Sequence, residues 1–405
     1  MKRILISGII IGLFISLGSI AAILYAKGYR FDPNGKNNGK IIEGTGLLVA
    51  TSHPDGARVL VNDHLTTATN NTINLSPGDY EVRIEKDGYI SWHKKVKIKN
   101  GLVSEANALL FPTAPKFEAM TTIGVNRVII DPTNGLLAYT VASQSATKNG
   151  VYVLNMNAGP FVFLGNSGNQ IVNNVVANFS DADISFSPDS KQILAKLPGA
   201  TYLLNAGGSN SSPQDVTNTI LTVERDWEIQ QAELDKKLTT SLPRALRPVA
   251  ASHFTKMAPS PEGDKILYTA SQSATLPLVL KNKIPSLNST QDQRKLNEGS
   301  VYVYDIKEDK NYRIFDSGRT GVDASNLKKD EVAPHYYWHA DDRHIVAAQD
   351  KKVKISEYDG GNLTTVFDGP FLDSLVIPWP DGSSIAIVSR LSSDSPYNLY
   401  RIGLQ

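Results

Sequence analysis

The chain of 405 residues contains no cysteine. That absence removes disulfides, thiolate metal ligands, a cysteine nucleophile and a lipidated N-terminal cysteine. Neither charge is in excess: 41 Lys and Arg stand against 40 Asp and Glu, so no global field favours nucleic acid or an acidic membrane surface. Also absent are a GxSxG elbow, a GxxxxGK(S/T) phosphate loop, an HExxH helix and a Gly-rich dinucleotide fingerprint. Nothing pairs a nucleophile with a base, and no catalytic, cofactor-binding or metal-ligating residue is assigned.

What is present is a turn followed by a strand, repeated five times: IIDPTNGLLAY (129–139), ISFSPDSKQILA (184–195), MAPSPEGDKILY (257–268), YWHADDRHIVA (337–347) and IPWPDGSSIAI (377–387). With the turn's Pro (Ala340 in the fourth copy) as position zero, positions +5 to +7 are always apolar or aromatic, as in Ile193-Leu194-Ala195 and Ile385-Ala386-Ile387. Three consecutive apolar positions mark a strand buried on both faces, whereas alternation would mark one wet face. Second strands follow at 150–156, 200–206, 300–306, 352–358 and 398–404, and third strands at 160–165, 311–316 and 363–369. Repeated sheets of three or four strands predict a β-propeller. The anchors at 132, 188, 261, 340 and 380 are spaced unevenly, which predicts five blades with insertions or a sixth degenerate one. The last strand ends just before the C-terminus, so a strand from 116–130 is expected to complete the final blade.

Lys2 and Arg3 precede 23 uncharged residues, Ile4 to Ala26, long enough as a helix (about 35 Å) to cross a bilayer. The sequence therefore predicts a transmembrane helix at 4–26 with residues 1–3 in the cytoplasm, a polar linker at 27–43, and the bulk of the chain outside the cytoplasmic membrane of a prokaryote. Ser19-Ile20-Ala21 would pass as a cleavage site, which leaves a removed signal segment as the alternative.

Residues 44–113 alternate short strands with the turns HPDG (53–56), SPGD (76–79) and KDGY (86–89), the pattern of a small β-sandwich. Through Pro54-Asp55-Gly56-Ala57, the run 58–62, Leu75 to Tyr80, and Lys86 to Tyr89 with Trp92, this stretch resembles the PEGA domain family. It departs from that pattern at Thr67-Ala68-Thr69-Asn70, where the family often has Thr-Pro. The resemblance implies a β-sandwich of envelope and surface proteins, commonly beside a membrane anchor, with no catalytic residues. Through its SPDS, SPEG and WPDG turns, residues 114–405 resemble TolB-like or WD-like propellers, a likeness of fold that transfers no activity.

Two insertions interrupt the repeat. Residues 207–250 carry a helical pattern with Val223, Trp227, Leu234 and Leu238 on one stripe, and residues 276–299 follow the SQSAT motif at 271–275. Insertions on a propeller rim often carry binding, or else cover a blade edge. Trp227 and Leu234 are the candidate contacts there; Tyr336, Trp338, His339 and Trp379, at two of the turns, are the others. His335 and His339 sit four apart, but on a strand that spacing separates them by about 13 Å, so they do not form a metal pair. His93, Lys95, Lys97 and Lys99 read as a solvated strand face. The expectation is thus an all-β chain behind a membrane helix: a PEGA-like sandwich, then a propeller with a helical insertion. Its expected role is non-catalytic, presenting the propeller to a protein or glycan partner. Alternatives are an extracytoplasmic hydrolase or lyase acting on polysaccharide, and a regulatory subunit of a membrane complex.

Overall fold

In the computed structural model, the described residues are 2–26, 29–31, 42–133, 135–157, 168–280, 288–315, 336–349, 351–372 and 375–405. The expected strand at 160–165, His335, most of the linker at 27–43 and residues 281–287 of the second insertion lie outside them. The chain divides into two compact units. One runs to Phe111 and takes in a short stretch ending at Thr290; the other is the remainder from Pro112 to Gln405.

Lys2–Ala26 forms one helix, α1. Its side chains are described from Ile11 to Tyr25, about 22 Å of helix rise. Among the described residues no helix is long and apolar enough to cross a membrane.

The first unit contains a sandwich of two sheets. Gly46–His53 lies between Asn71–Leu75, antiparallel, and Val103–Leu109, parallel. The facing sheet runs His64–Ala68, Arg58–Val61, Gly78–Glu85 and Trp92–Ile98. Alternate residues point inward, so Leu48, Ala50, Val59, Val82, Ile84, Trp92, Ile98 and Ala106 form one core. The PDGA turn needs Gly56 at φ +74°, and Ala57 behind it is buried. Thr69, where the sequence departs from the family pattern, is also buried; its hydroxyl accepts from the Ala57 N–H and bonds the Ser52 hydroxyl. The departure is a working part of the sandwich edge. His93, Lys95, Lys97 and Lys99 are exposed on their strand, as a solvated face requires.

Among the described residues, the second unit contains five four-stranded antiparallel sheets in chain order, the arrangement of a five-bladed propeller. Blade one is Val128–Ile130, Leu136–Val141, Gly150–Asn155 and Asn169–Asn173. Blade two is Asp183–Phe186, Gln192–Leu197, Ala200–Asn205 and Gln214–Asp215. Blade three is Phe254–Pro259, Lys265–Ala270, Val301–Asp305 and Lys310–Phe315. Blade four is Tyr336–Trp338, His344–Gln349, Lys352–Glu357 and Thr364–Asp368. The fifth, Val376–Pro378, Ser384–Ser389 and Asn398–Gly403, takes its outer strand from Phe117–Ala119 at the start of the unit. The apolar triplet lies on the second strand of every blade, and all fifteen of its residues are at most 2% exposed. These strands are covered on both faces, so truncating one of the triplet isoleucines to Ala would cost about 2–5 kcal/mol.

Neighbouring blades share cores. Val151 and Ile171 of blade one pack with Ile184 and Ile193 of blade two, and Leu267 and Val303 of blade three pack with Trp338 and Ile345 of blade four. Leu137 and Tyr139 of blade one pack with Ile377, Val388 and Leu399 of blade five, which brings the last blade back to the first. The borrowed strand holds that closure. Phe117 pairs with Ile402, and its ring stacks on Tyr400 (4.7 Å) and on Phe367 of blade four (5.7 Å). Deletion of residues 114–121 is expected to lower the melting temperature sharply and broaden the transition. Circular dichroism of the intact and shortened chains checks this, and an unchanged melt would show that the ring holds without the strand.

Candidate functional site

The first turn of every blade is built on one backbone bond. The N–H of the residue before position zero donates to the carbonyl four residues after it: Asp131 to Leu136, Ser187 to Gln192, Ser260 to Lys265, His339 to His344 and Trp379 to Ser384. Position +2 is left-handed, with φ of +62° at Ser190, +73° at Gly263, +61° at Asp342 and +73° at Gly382. That requirement explains Gly, Asp and Ser there, since most side chains resist the left-handed region. In blades one to three the residue before position zero also caps the hairpin: Asp131, Ser187 and Ser260 side-chain oxygens accept the N–H of Leu136, Gln192 and Lys265. The turn is shared; what differs is the pair of side chains facing one another across it.

In blades three to five that pair carries charge or aromatic rings into the interior. Lys265 of blade three has its ammonium 2.7 Å from Asp264 and 2.5 Å from Asp342 of blade four. The other Asp342 oxygen accepts the Glu262 N–H at 2.8 Å. Lys307 adds a second ammonium on Asp264 at 2.7 Å. Asp342 therefore reaches across to blade three because the turn places it in a left-handed conformation. Burial opposes the charge on Asp264, but its bonds to Lys265 and Lys307 outweigh that and hold its carboxyl below the usual range. Burial likewise opposes the Lys265 charge, and the two carboxylates raise it above its usual value. Glu262, Asp264 and Asp342 form a carboxylate cluster, yet it already holds the Lys265 ammonium.

In blade four the facing pair is His339 and His344, with Asp341 between them. Asp341 Oδ1 is 3.0 Å from His339 Nδ1, and Oδ2 is 2.6 Å from His344 Nδ1. The backbone N–H groups of Arg343 and His344 also donate to Oδ1. His339 Nε2 donates to the Gly382 carbonyl of blade five at 2.9 Å. Burial pulls the His339 pKa down, but Asp341 and the Gly382 carbonyl outweigh it and raise it above 6.5. Burial would raise Asp341, and its bonds to the two histidines instead hold it far below the carboxylate range.

The candidate contact residues separate into two groups. Trp338 is buried, with its indole N–H donating to the Ala258 carbonyl at 3.0 Å. His339 is buried in the bonds just described, and Trp379 is buried with the Arg401 guanidinium 5.5 Å over its ring. Tyr336 is half-buried and stacks on Phe315 at 5.0 Å. These four are turned inward. Trp227 and Leu234 lie on a helix, α2 (Ile220–Ser241), with Trp227 half-buried and Leu234 exposed. None of the 22 residues of α2 is buried, and Leu221, Ile229 and Leu234 are 78%, 52% and 42% exposed. The helix touches the blades through Glu224, 2.6 Å from the Lys196 ammonium of blade two, and through Leu238, and the chain then packs down through Leu242, Leu246 and Ala250 against Phe254, Ile266 and Tyr268 of blade three. The second insertion behaves differently in its described part. Asp309 accepts the Val279 and Leu280 N–H groups and the Arg294 guanidinium, while Gln293 and Asp292 bond Asn311 on the outer strand of blade three. It covers a blade edge.

A hollow of about 690 Å³ lies beside the blade-two turn, lined by Asp189, Ser190, Gln192, Asn205, Asn210 and Gln214 among others. Much of this polarity serves the turns themselves: Asn210 accepts from the Asn205 N–H and donates to the Ile171, Asn205 and Gly208 carbonyls.

The pairing of His339 with His344 across one turn, and the reach of Asp342 to Lys265, were not anticipated. A signal existed: aligning the five copies by the turn puts residues −1 and +4 opposite one another, and only the fourth copy has histidine at both.

Residues 45–113 match the PEGA domain. The matched residues are those of the sandwich, which is similar to that domain. No curated protein matches the chain. Among solved structures, it is similar to a TolB candidate from Agrobacterium tumefaciens (17% identity, 69% of this chain and 72% of that one, TM-score 0.21). It is also similar to TolB from Acinetobacter baumannii (14%, 80% and 59%, TM-score 0.23) and to a eukaryotic initiation factor (13%, 78% and 67%, TM-score 0.18). Likenesses this distant say nothing of what the chain does, and it spans only 59% of the Acinetobacter protein.

Replacing Asp342 with Asn keeps the left-handed conformation accessible but leaves the Lys265 ammonium with Asp264 as its remaining carboxylate, and should cost about 1.5–3 kcal/mol in urea unfolding. An effect under about 1 kcal/mol would mean that Lys265 does not depend on the pair. The Asp264 contribution follows pH with a definite sign. Its folded pKa is depressed, so the stabilisation is complete above about pH 3.8 and fades as pH falls toward the depressed value. The penalty of Asp264→Asn should accordingly be constant at neutral pH and shrink in acid; a penalty that grows in acid contradicts the assignment.

Proposed function

We propose that this chain is a non-catalytic envelope protein, held in the cytoplasmic membrane of a prokaryote by α1 with its N-terminus inside, which engages a protein partner through α2. Support for the anchor is the surface of α1. Ile11, Leu13, Phe14, Ile15, Leu17, Ile20, Ile23 and Tyr25 are all more than half exposed, and the uncharged run continues back to Ile4 in the sequence. Such a surface is costly in water and ordinary in lipid. The rest of the chain, on the far side of the anchor, would then lie outside the cytoplasm.

The observation that carries the partner reading is the exposure of α2. No residue of this 22-residue helix is fully buried, and its contacts to the blades through Leu238 and Glu224 give no reason to keep Leu221, Ile229 and Leu234 at its surface. The occupant we favour is a protein. The exposed apolar groups are aliphatic, which suit a protein groove, whereas sugars stack on open aromatic faces. Supporting a non-catalytic role, the carboxylates that converge in the propeller are held by Lys265, Lys307 and two histidines rather than open to a substrate. A hydrolase or lyase would need such a pair in a cleft. Were the partner a membrane complex, the chain would be its regulatory subunit.

A photocrosslinking residue at Ile229, in the full-length protein in its native membrane, should give one discrete protein adduct. The adduct should disappear with Leu234→Asp while the melting temperature is unchanged. Absence of an adduct, or recovery of glycan alone, would overturn the reading.

A further inference from the structure

The blade-four turn contains a feature that its role as a hinge between strands does not use. One donor atom each from His339, Asp341 and His344 lies within 4.8 Å of the other two, with both histidine side chains under 5% exposed and Asp341 at 28%. The Gly382 carbonyl can only accept, so the hydrogen of the His339 imidazole is on Nε2. The lone pair of the neutral ring then sits on Nδ1, which has the Asp341 backbone N–H at 3.4 Å and an Asp341 carboxylate oxygen at 3.0 Å. Two lone pairs at that distance repel unless a cation lies between them, either a proton or a metal ion.

We propose that His339, Asp341 and His344 form a binding site for one divalent transition-metal ion of the zinc type. Two imidazole nitrogens and one carboxylate are a donor set that suits zinc, and three protein ligands leave a position for water. The supporting shell is also in place. A ligating histidine ordinarily gives its second ring N–H to a carbonyl or carboxylate, as His339 does to Gly382, and a ligating carboxylate is ordinarily hydrogen-bonded, as Asp341 is by two backbone N–H groups. The ring centroids are 6.1 Å apart and nearly perpendicular, so the two imidazoles approach the carboxylate from different sides. The partly exposed edge of Asp341 is the way in.

Gly382 is fitted to this arrangement. A Cβ there would come within 2.9 Å of the His339 ring, and the residue is left-handed at φ +73°. The ion would thus tie blade four to the turn of blade five through His339. By contrast, the acidic cluster of Glu262, Asp264 and Asp342 carries no such proposal, because the Lys265 ammonium already occupies its centre.

The test uses the full-length, tag-free chain in detergent, stripped of metal and titrated with zinc by calorimetry. One ion per chain should bind, with a rise in melting temperature. His344→Gln should weaken binding at least tenfold, and acid should weaken binding because protons compete with the ion for the same donor atoms. Because His344 is buried and its variant may not fold, X-ray absorption on the zinc-loaded wild type is the second measurement: it should count two imidazole ligands. Equal uptake by wild type and His344→Gln, no saturable binding, or fewer than two imidazoles at the metal would each overturn the site. The α2 partner stands or falls separately, since its crosslink needs no metal.

Discussion

A stretch of strand covered on both faces has no free side chain to offer, and the apolar triplet in the second strand of every blade is such a stretch. Leu137 to Tyr139, Ile193 to Ala195, Ile266 to Tyr268, Ile345 to Ala347 and Ile385 to Ile387 are all enclosed. Variation without loss of the blade is therefore pushed to the turn that leads into it and to the connections between strands. The turn keeps its backbone bond and its left-handed residue in each described copy, while the facing side chains change from Asp131 and Leu136 to Ser187 and Gln192, Lys265, and the pair His339 and His344.

From that constraint the distribution of charge follows. Blades one and two spend polar side chains on capping their own hairpins. Blades three, four and five spend them between blades: Asp342 on Lys265, His339 on Gly382, Trp338 on Ala258. Buried charges of this kind stabilise little by their mere presence, but breaking one leaves its partner stranded in a poor solvent. They fix which blade meets which. The connections at the opposite end of the sheets, α2 and the blade-three insertion, have divided the remaining tasks. Antiparallel alternation sends both to that end; one binds down on a blade edge and the other stays exposed.

Much of the fold was legible. The triplets located the second strands, the PDGA and KDGY turns located the sandwich, and a chain ending on 398–404 implied a borrowed outer strand. Less legible were the short strands Asn169–Asn173, whose apolar signal is only Ile171 and Val172, and Gln214–Asp215, which has none; both pair with a sheet edge that is already there. Trp338, His339 and Trp379 sit beside polar turn residues in the sequence, and the fold buries all three. Local sequence reports the turn; it does not report what the next blade lays over it.

The sequence by itself determined the order of the parts, the buried strands, the PEGA-like sandwich and the closure of the ring, because each depends on patterns of neighbouring residues. Only the tertiary structure decided which polar groups meet. Lys265 and Asp342 are 77 residues apart, and His339 and Gly382 are 43 apart. Their contacts exist because adjacent blades bring equivalent turns side by side, and packing between blades leaves no periodic trace along the chain.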